Sequence, residues 1–292
     1  MASTETTAGG GRSEFLSHAL YVLRGNPLTF VAFAMFALII LLGIAGPVIA
    51  PYDPLESNAA LALQPPSMAH WFGTDSLGRD VLSRVIVATR LDLMISVAAV
   101  ALSFVFGVAI GSAAGYWGGW IDAVSGRVVD TVMAFPLFVL AMGIVSALGN
   151  TVENIIYATA IINLPFYARL SRAEVRIRRD AGFVQAARLS GNTDLRILVT
   201  QIFPNTLPPM MVQISLNMGW AILNAAGLSF IGLGVRSPTP EWGIMVAEGA
   251  NFVVSGEWWL AIFPGLALMA AVFTFNMMGD GLRDLVDPRQ RT

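Results

Sequence analysis

The chain has no cysteine, no lysine and only two histidines, His18 and His70, which lie far apart in unlike contexts. Without Cys there are no disulfides, thiolate metal sites or thiol nucleophiles. Without Lys there is no P-loop lysine for nucleotide phosphates and no amine for a Schiff base. Charge is scarce as well. Only 12% of the 292 residues are charged, whereas a soluble domain carries about 25%. The formal net charge of −2 gives no electrostatic reason to expect nucleic acid as a partner. No residue set suggests a catalytic centre, a metal site or a bound cofactor, so the chain reads as a non-enzyme. What is plentiful is apolar: 55% of residues, with a mean hydropathy of +0.68. That balance fits an all-α, polytopic membrane protein.

A helix crossing the hydrocarbon core needs about 20 mostly apolar residues. Gaps between charges place spans at about 28–50, 93–115, 128–148, 205–225 and 258–279. A sixth, 153–170, is weaker, because Asn163 and Pro165 interrupt it. Its alternative is a re-entrant or interfacial helix; parity favours a full span, since six crossings return both termini to one side. With the N-terminus inside, only Arg79, Arg84, Arg90 and Arg236 face out, leaving thirteen of 17 basic residues on the cytoplasmic side. The positive-inside rule therefore predicts N-in, C-in. The first apolar run, Leu28 to Ala50, exceeds the 7–15 residues of a signal-peptide core and is expected to stay. Residues 1–25 read as a cytoplasmic tail, 26–289 as one transmembrane domain and 290–292 as a second tail, with outer loops at 51–92 and 226–257.

Polar side chains within spans face other helices or a wet cavity. Gln213, Ser215, Asn217 and Asn224 on the fifth span, Thr159 and Asn163 on the fourth, and Asn276 on the sixth are such residues. Asn163, Gln213, Asn217 and Asn224 are the candidates for lining a pathway. Gly107, Gly111 and Gly115 recur every four residues, a spacing that lets helix backbones approach closely. Asp130 is expected near the start of the third span, where a helix N-terminus favours negative charge. No span carries a string of carboxylates or histidines, which argues against a proton-driven carrier.

Between the fourth and fifth spans, 171–204 forms a cytoplasmic loop rich in Arg and suited to anionic membrane lipid. Its apolar periodicity, Phe183, Val184, Ala187, Leu189 and then Leu195, Ile197 and Leu198, predicts two short helices broken at Ser190-Gly191-Asn192. A helix–turn–helix held outside the membrane is a docking element.

Gln185-Ala186-Ala187, then Gly191, and later Phe203-Pro204 resemble the EAA loop of bacterial ABC-importer permeases. Gln185 replaces the usual Glu, keeping a hydrogen-bonding amide but losing the charge. Three further stretches sharpen the match: Ala50 to Pro54, Phe72 to Arg84 and Leu228 to Gly243, with an ending from Asn276 to Arg289. Together they resemble the second permease subunit of the dipeptide/oligopeptide/nickel ABC-importer family. The same stretches predict ion pairs: Arg79 with Asp75 or Asp80, exposed and worth about 0–1 kcal/mol, and Asp280 with Arg283. Trp242, Trp258 and Trp259 are expected near the headgroups, and His70 at the surface.

The resemblance implies the type I importer architecture and residence in the bacterial inner membrane. It also implies half of a translocation pathway for peptides or similar small solutes. A sister permease subunit, two cytoplasmic ATPase subunits that use ATP and Mg, and an extracytoplasmic substrate-binding protein would complete the machine. Docking to the ATPase would fall to Phe183, Gln185, Ala186, Ala187, Arg188, Ser190 and Gly191. The alternative is an autonomous homo-oligomeric channel or secondary carrier, which would leave that loop without a task.

Overall fold

The structure, a computed structural model, describes residues 27–286, with side chains through Arg283. The two expected tails and the Asp287-Pro288-Arg289 ending lie outside the described residues, as do residue 26 and His18. Among the described residues the fold is helical, with one isolated antiparallel bridge, Thr74 to Asp80, and no sheet. The helices are α1 (Pro27–Ile49), α2 (Val81–Trp117), α3 (Gly119–Ala134), α4 (Leu137–Leu148), α5 (Val152–Arg178), α6 (Gly182–Leu189), α7 (Asp194–Ile197), α8 (Phe203–Phe230), α9 (Trp242–Ala250) and α10 (Trp259–Val286). A π-helical turn, Leu198–Ile202, joins α7 to α8.

Among the described residues three helices are long and apolar enough to cross a membrane: α1, α2 and the Trp259–Arg283 stretch of α10. A fourth candidate is α3 with α4, which are bent by 90°. The expected span at 128–148 is therefore broken rather than one straight helix. Pro136 follows Phe135, whose backbone is extended at the end of α3, as the residue before proline prefers. Helices α5 (27 residues) and α8 (28 residues) contain the expected spans 153–170 and 205–225 and are long enough, but are too polar to meet the same apolar measure. Both carry buried polar residues, among them Asn163 on α5 and Asn217 on α8. At 37 residues and about 1.5 Å per residue, α2 overshoots the hydrocarbon core, carrying Arg84, Arg90 and Asp92 in its first third.

Gly107, Gly111 and Gly115 form the seam between α2 and α5. A Cβ at Gly111 would stand 2.2 Å from the Ala168 carbonyl oxygen, and at Gly107 2.7 Å from that of Leu164. Only a hydrogen fits there. Asp130 is not at a helix N-terminus, because α3 already begins at Gly119; it pairs with Arg169 at 2.7 Å, both side chains exposed.

At the end of the bundle where α2 begins, the three family-like stretches converge into one cap. The Asp75 carboxylate organises a tight loop: its Oδ1 accepts from the Leu77 and Arg79 amides and its Oδ2 from Arg79 Nε at 2.7 Å. Arg84 Nη1 donates to the carbonyls of Pro54 and Pro238, at 3.1 and 3.3 Å, tying two distant segments to the third. Both arginines are buried, so the expected exposed Arg79 pair is a buried one. Asp80 does not pair with Arg79. It caps α2 by accepting from Ser83 N at 2.7 Å and meets His70 Nδ1 at 2.9 Å, which also draws His70 off the surface.

Two of the three tryptophans are core residues rather than headgroup anchors. Trp242 Nε1 donates to the Val85 carbonyl and Trp259 Nε1 to that of Thr74, both inside the cap, whereas Trp258 is exposed. Burying an indole requires a partner for its N–H, and the folded loop supplies one. At the other end, Asp280 and Arg283 are exposed and form no ion pair with each other. Solvent screens such a pair, and its contact does not repay the ordering of two side chains.

Candidate functional site

Helix α8 places Gln213, Asn217, Trp220 and Asn224 at intervals of four, three and four residues, one face of a helix. That face borders a cavity of about 310 Å³ against α4 and α5, which add Phe138, Asn163 and Phe166. The four polar residues expected to line a pathway thus share one cavity, and no charged side chain lines it.

Their bonding differs. Asn163 Nδ2 donates to the Thr159 carbonyl and Asn224 Nδ2 to that of Trp220, each at 2.8 Å along its own helix. Gln213 Nε2 instead donates to Asn217 Oδ1 at 3.0 Å, side chain to side chain. Ser215 and Asn276 turn back to main-chain carbonyls of their own helices, at Met211 and Val272, and lie outside the cavity. Thr159 is fully buried and also outside it. The aromatic lining was missed by the sequence reading; Trp220 sits on the same α8 face, and that register was its available signal.

The second candidate is α6. Val184 is fully buried and Ala187 half-buried, and both pack on Val175, Ile197, Leu198 and Ile202. The opposite side presents Phe183, Gln185, Ala186, Arg188, Leu189 and Ser190, all exposed, with Leu189 at 91%. Gln185 Nε2 donates to the Asp180 carbonyl at 3.1 Å, tying the start of the helix back to the end of α5. Gly191 breaks the helix with φ +79°, a left-handed conformation that favours glycine. Its amide donates to the Arg188 carbonyl at 2.9 Å. Thr193 then opens α7, its side chain accepting from the Arg196 amide. The expected two helices and break are present, although the second runs on through the π-helical turn into α8.

A residue absent from the sequence reading holds this unit to the bundle. Tyr116, in the last turn of α2, donates from its hydroxyl to Asp194 Oδ1 at 2.6 Å and accepts from Arg188 Nη2 at 3.3 Å. The Arg188 guanidinium also lies 5.6 Å from the centre of the tyrosine ring, within cation–π range. Tyr116 and Asp194 together hold the Arg188 guanidinium above its usual value. An aromatic beside Gly115 and Gly118 carries no spacing signal, so only folding reveals this link.

Among the described residues no group of three or more His, Asp or Glu side chains could hold a metal ion.

Comparison with known proteins shows what the chain is similar to. The family described as "Binding-protein-dependent transport system inner membrane component" matches residues 107–292, and the "N-terminal TM domain of oligopeptide transport permease C" matches 14–66. The dipeptide transport system permease protein of Alkalihalophilus pseudofirmus is 41% identical over 270 residues, 92% of this chain and 88% of its own. The probable D,D-dipeptide transport system permease protein of Escherichia coli K12 is also 41% identical, over 92% of this chain and 90% of its own. The glutathione transport system permease protein of Escherichia coli O1:K1 is 40% identical, over 91% and 88%. These relatives are named as transport permeases, not as enzymes.

Proposed function

This chain belongs to the binding-protein-dependent permeases, the multi-pass inner-membrane subunits of ABC transporters, and from that membership we propose that it forms half of the translocation pathway of an ATP-driven peptide importer. In this reading it crosses the membrane six times with both termini in the cytoplasm. A sister permease completes the pathway, an extracytoplasmic binding protein delivers the solute and two separate ATPase subunits hydrolyse ATP. The chain itself hydrolyses nothing. Peptides are the substrate class suggested by the relatives' names.

The observation that carries the proposal is α6: a short helix anchored on one side by Val184 and exposing Phe183, Gln185, Arg188 and Leu189 on the other. An exposed apolar and polar face on a helix held so firmly needs a partner. Motion imposed on α6 by an ATPase would pass to α2 through Arg188 and Tyr116 and to α8 through Asp194 and the following π-helical turn. The alternative, an autonomous channel, gives that face no role.

The test is to express the tagged chain with its neighbouring genes, solubilise it and identify what co-purifies. A sister permease and one or two P-loop ATPases are expected, and the assembled complex should import peptide into proteoliposomes at the expense of ATP. In the same complex Gly191→Pro should leave the chain inserted in the membrane and reduce peptide imported per ATP hydrolysed by roughly tenfold or more, since proline cannot adopt φ +79°. Recovery of this chain alone as a stable homo-oligomer, or full coupling in the variant, would overturn the proposal.

A further inference from the structure

Two carboxyl groups are buried against each other where α9 meets α2. Asp92, on the part of α2 that precedes the expected span 93–115, is 1% exposed, and Glu241, the cap of α9, is fully buried. Their side chains meet within hydrogen-bonding reach, and no arginine or histidine acts on either. The arginines of the neighbouring segments are engaged or turned elsewhere. Arg84 bonds the Pro54 and Pro238 carbonyls and pairs with Asp75, while Arg90 and Arg236 are exposed. Glu248, further along α9, faces Arg79 and Arg84. Helix α8 carries no charged residue, and α10 carries none before Asp280.

Two carboxylates in contact in a low-dielectric interior, with no cation between them, cannot both ionise; one keeps a proton. The hydrogen bonds say which. Glu241 Oε1 accepts from the Gly243 amide at 2.9 Å and Oε2 from the Ile244 amide at 2.8 Å. The Ser229 hydroxyl, itself accepting from the Val235 amide, donates to the same carboxyl. Glu241 also stands at the N-terminal end of α9, where helix amides favour negative charge. Asp92 is poorer in donors. Its Oδ2 accepts one bond, from the Trp242 amide at 3.2 Å, and its buried Oδ1 has no partner among protein donors. An O–H on Oδ1 that donates to Glu241 removes that deficit. The proton belongs on Asp92 and the negative charge on Glu241.

We propose that Asp92 and Glu241 form a buried site for a single proton, and that this proton fastens α9 to α2. Trp242 shares the junction, its amide bonded to Asp92 and its Nε1 to the Val85 carbonyl at 3.1 Å. Loss of the proton leaves two buried anions facing each other, which drives α9 off α2. The inference goes beyond the transport reading and does not depend on it.

The test uses the full chain purified into nanodiscs. Its infrared spectrum at neutral pH should contain the C=O stretch of a protonated carboxylic acid. Asp92→Asn should lose that band, and Asp53→Asn, at an exposed position, should keep it. The Asn amide can donate to Glu241 in place of the acid, so the variant is expected to fold. Asp92→Ser, whose hydroxyl also donates without titrating, serves if it does not. Denaturant titration across pH is the second readout. An unfolded Asp releases its proton near about pH 4. The folded pair keeps it, so the folded state binds more protons and loses stability as pH rises. Between about pH 5 and 8 the folding equilibrium constant of the wild type should fall about tenfold per pH unit relative to Asp92→Asn. An acid band unchanged by Asp92→Asn, or parallel pH profiles, would overturn the site. So would stabilisation of the wild type alone when sodium replaces choline at constant ionic strength, because the pair would then hold a cation in place of the proton.

Discussion

Arg84 is 1% exposed and Arg79 2%, yet both are charged. Asp75 answers both, with Glu248 at longer range: 3.7 Å from Arg79 Nη2 and 3.9 Å from Arg84 Nη2. Burial lifts such a group out of the regime of surface pairs. Removing one partner leaves a desolvated charge uncompensated, at about 3–5 kcal/mol. Asp75→Asn is therefore expected to destabilise the detergent-purified chain by about that amount, read as a fall in its thermal unfolding midpoint. The exposed neighbour Glu56, changed to Gln, should stay within about 0.5 kcal/mol. Equal behaviour of the two would mean that the cap does not depend on the cluster. The i,i+4 relation of Asp75 and Arg79 is visible in the sequence. That Arg84 reaches across to the Pro54 and Pro238 carbonyls is not, because those contacts join residues 30 and 154 positions apart.

At the level of helices, the α2–α5 seam makes the sharpest prediction. The added methyl of Gly111→Ala would meet a main-chain carbonyl at 2.2 Å, which no side-chain rotation relieves. Overpacking of this kind costs about 1–3 kcal/mol or more, and a lower yield of folded protein and a lower unfolding midpoint are expected. Gly126→Ala, in α3 with nothing within 4 Å of the new methyl, should be neutral or gain up to about 1 kcal/mol from helix propensity. If both variants behave alike, the seam is not a tight contact. The four-residue glycine spacing marks a contact face without naming its partner. The bend at Pro136 is also written in the chain, but a long uncharged gap masks it when spans are sought by hydropathy alone.

For the whole molecule, the prediction concerns orientation. The arginine distribution argues for cytoplasmic termini, and α6 with the exposed end of α5 would then lie where an ATPase can reach it. A tag fused at the C-terminus should resist protease added to intact cells and become accessible only after lysis. Accessibility from outside would invert the topology and leave α6 facing the wrong compartment. Orientation also decides which solution each site meets. The cap around Arg84 would face the binding protein, while Tyr116, Arg188 and Asp194 would face the ATPases.

Composition and charge spacing by themselves pointed to an all-α, multi-pass membrane protein, because apolar run length and arginine bias are local properties that lipid reads directly; the permease reading came from the motif stretches. The helix–turn–helix with its Gly191 break was equally legible, since periodicity and a left-handed glycine act within a few residues. So were the four amide side chains, as types and positions. Their convergence on one cavity was not, and neither was the mutual bond between Gln213 and Asn217. Nor were the burial of Arg79, Trp242 and Trp259, or the Tyr116 link beneath α6. Each of these depends on which distant segments pack together, and in a chain this uniformly apolar many pairings satisfy hydropathy. Only backbone approach at the glycine seam and partners for buried N–H groups select among them.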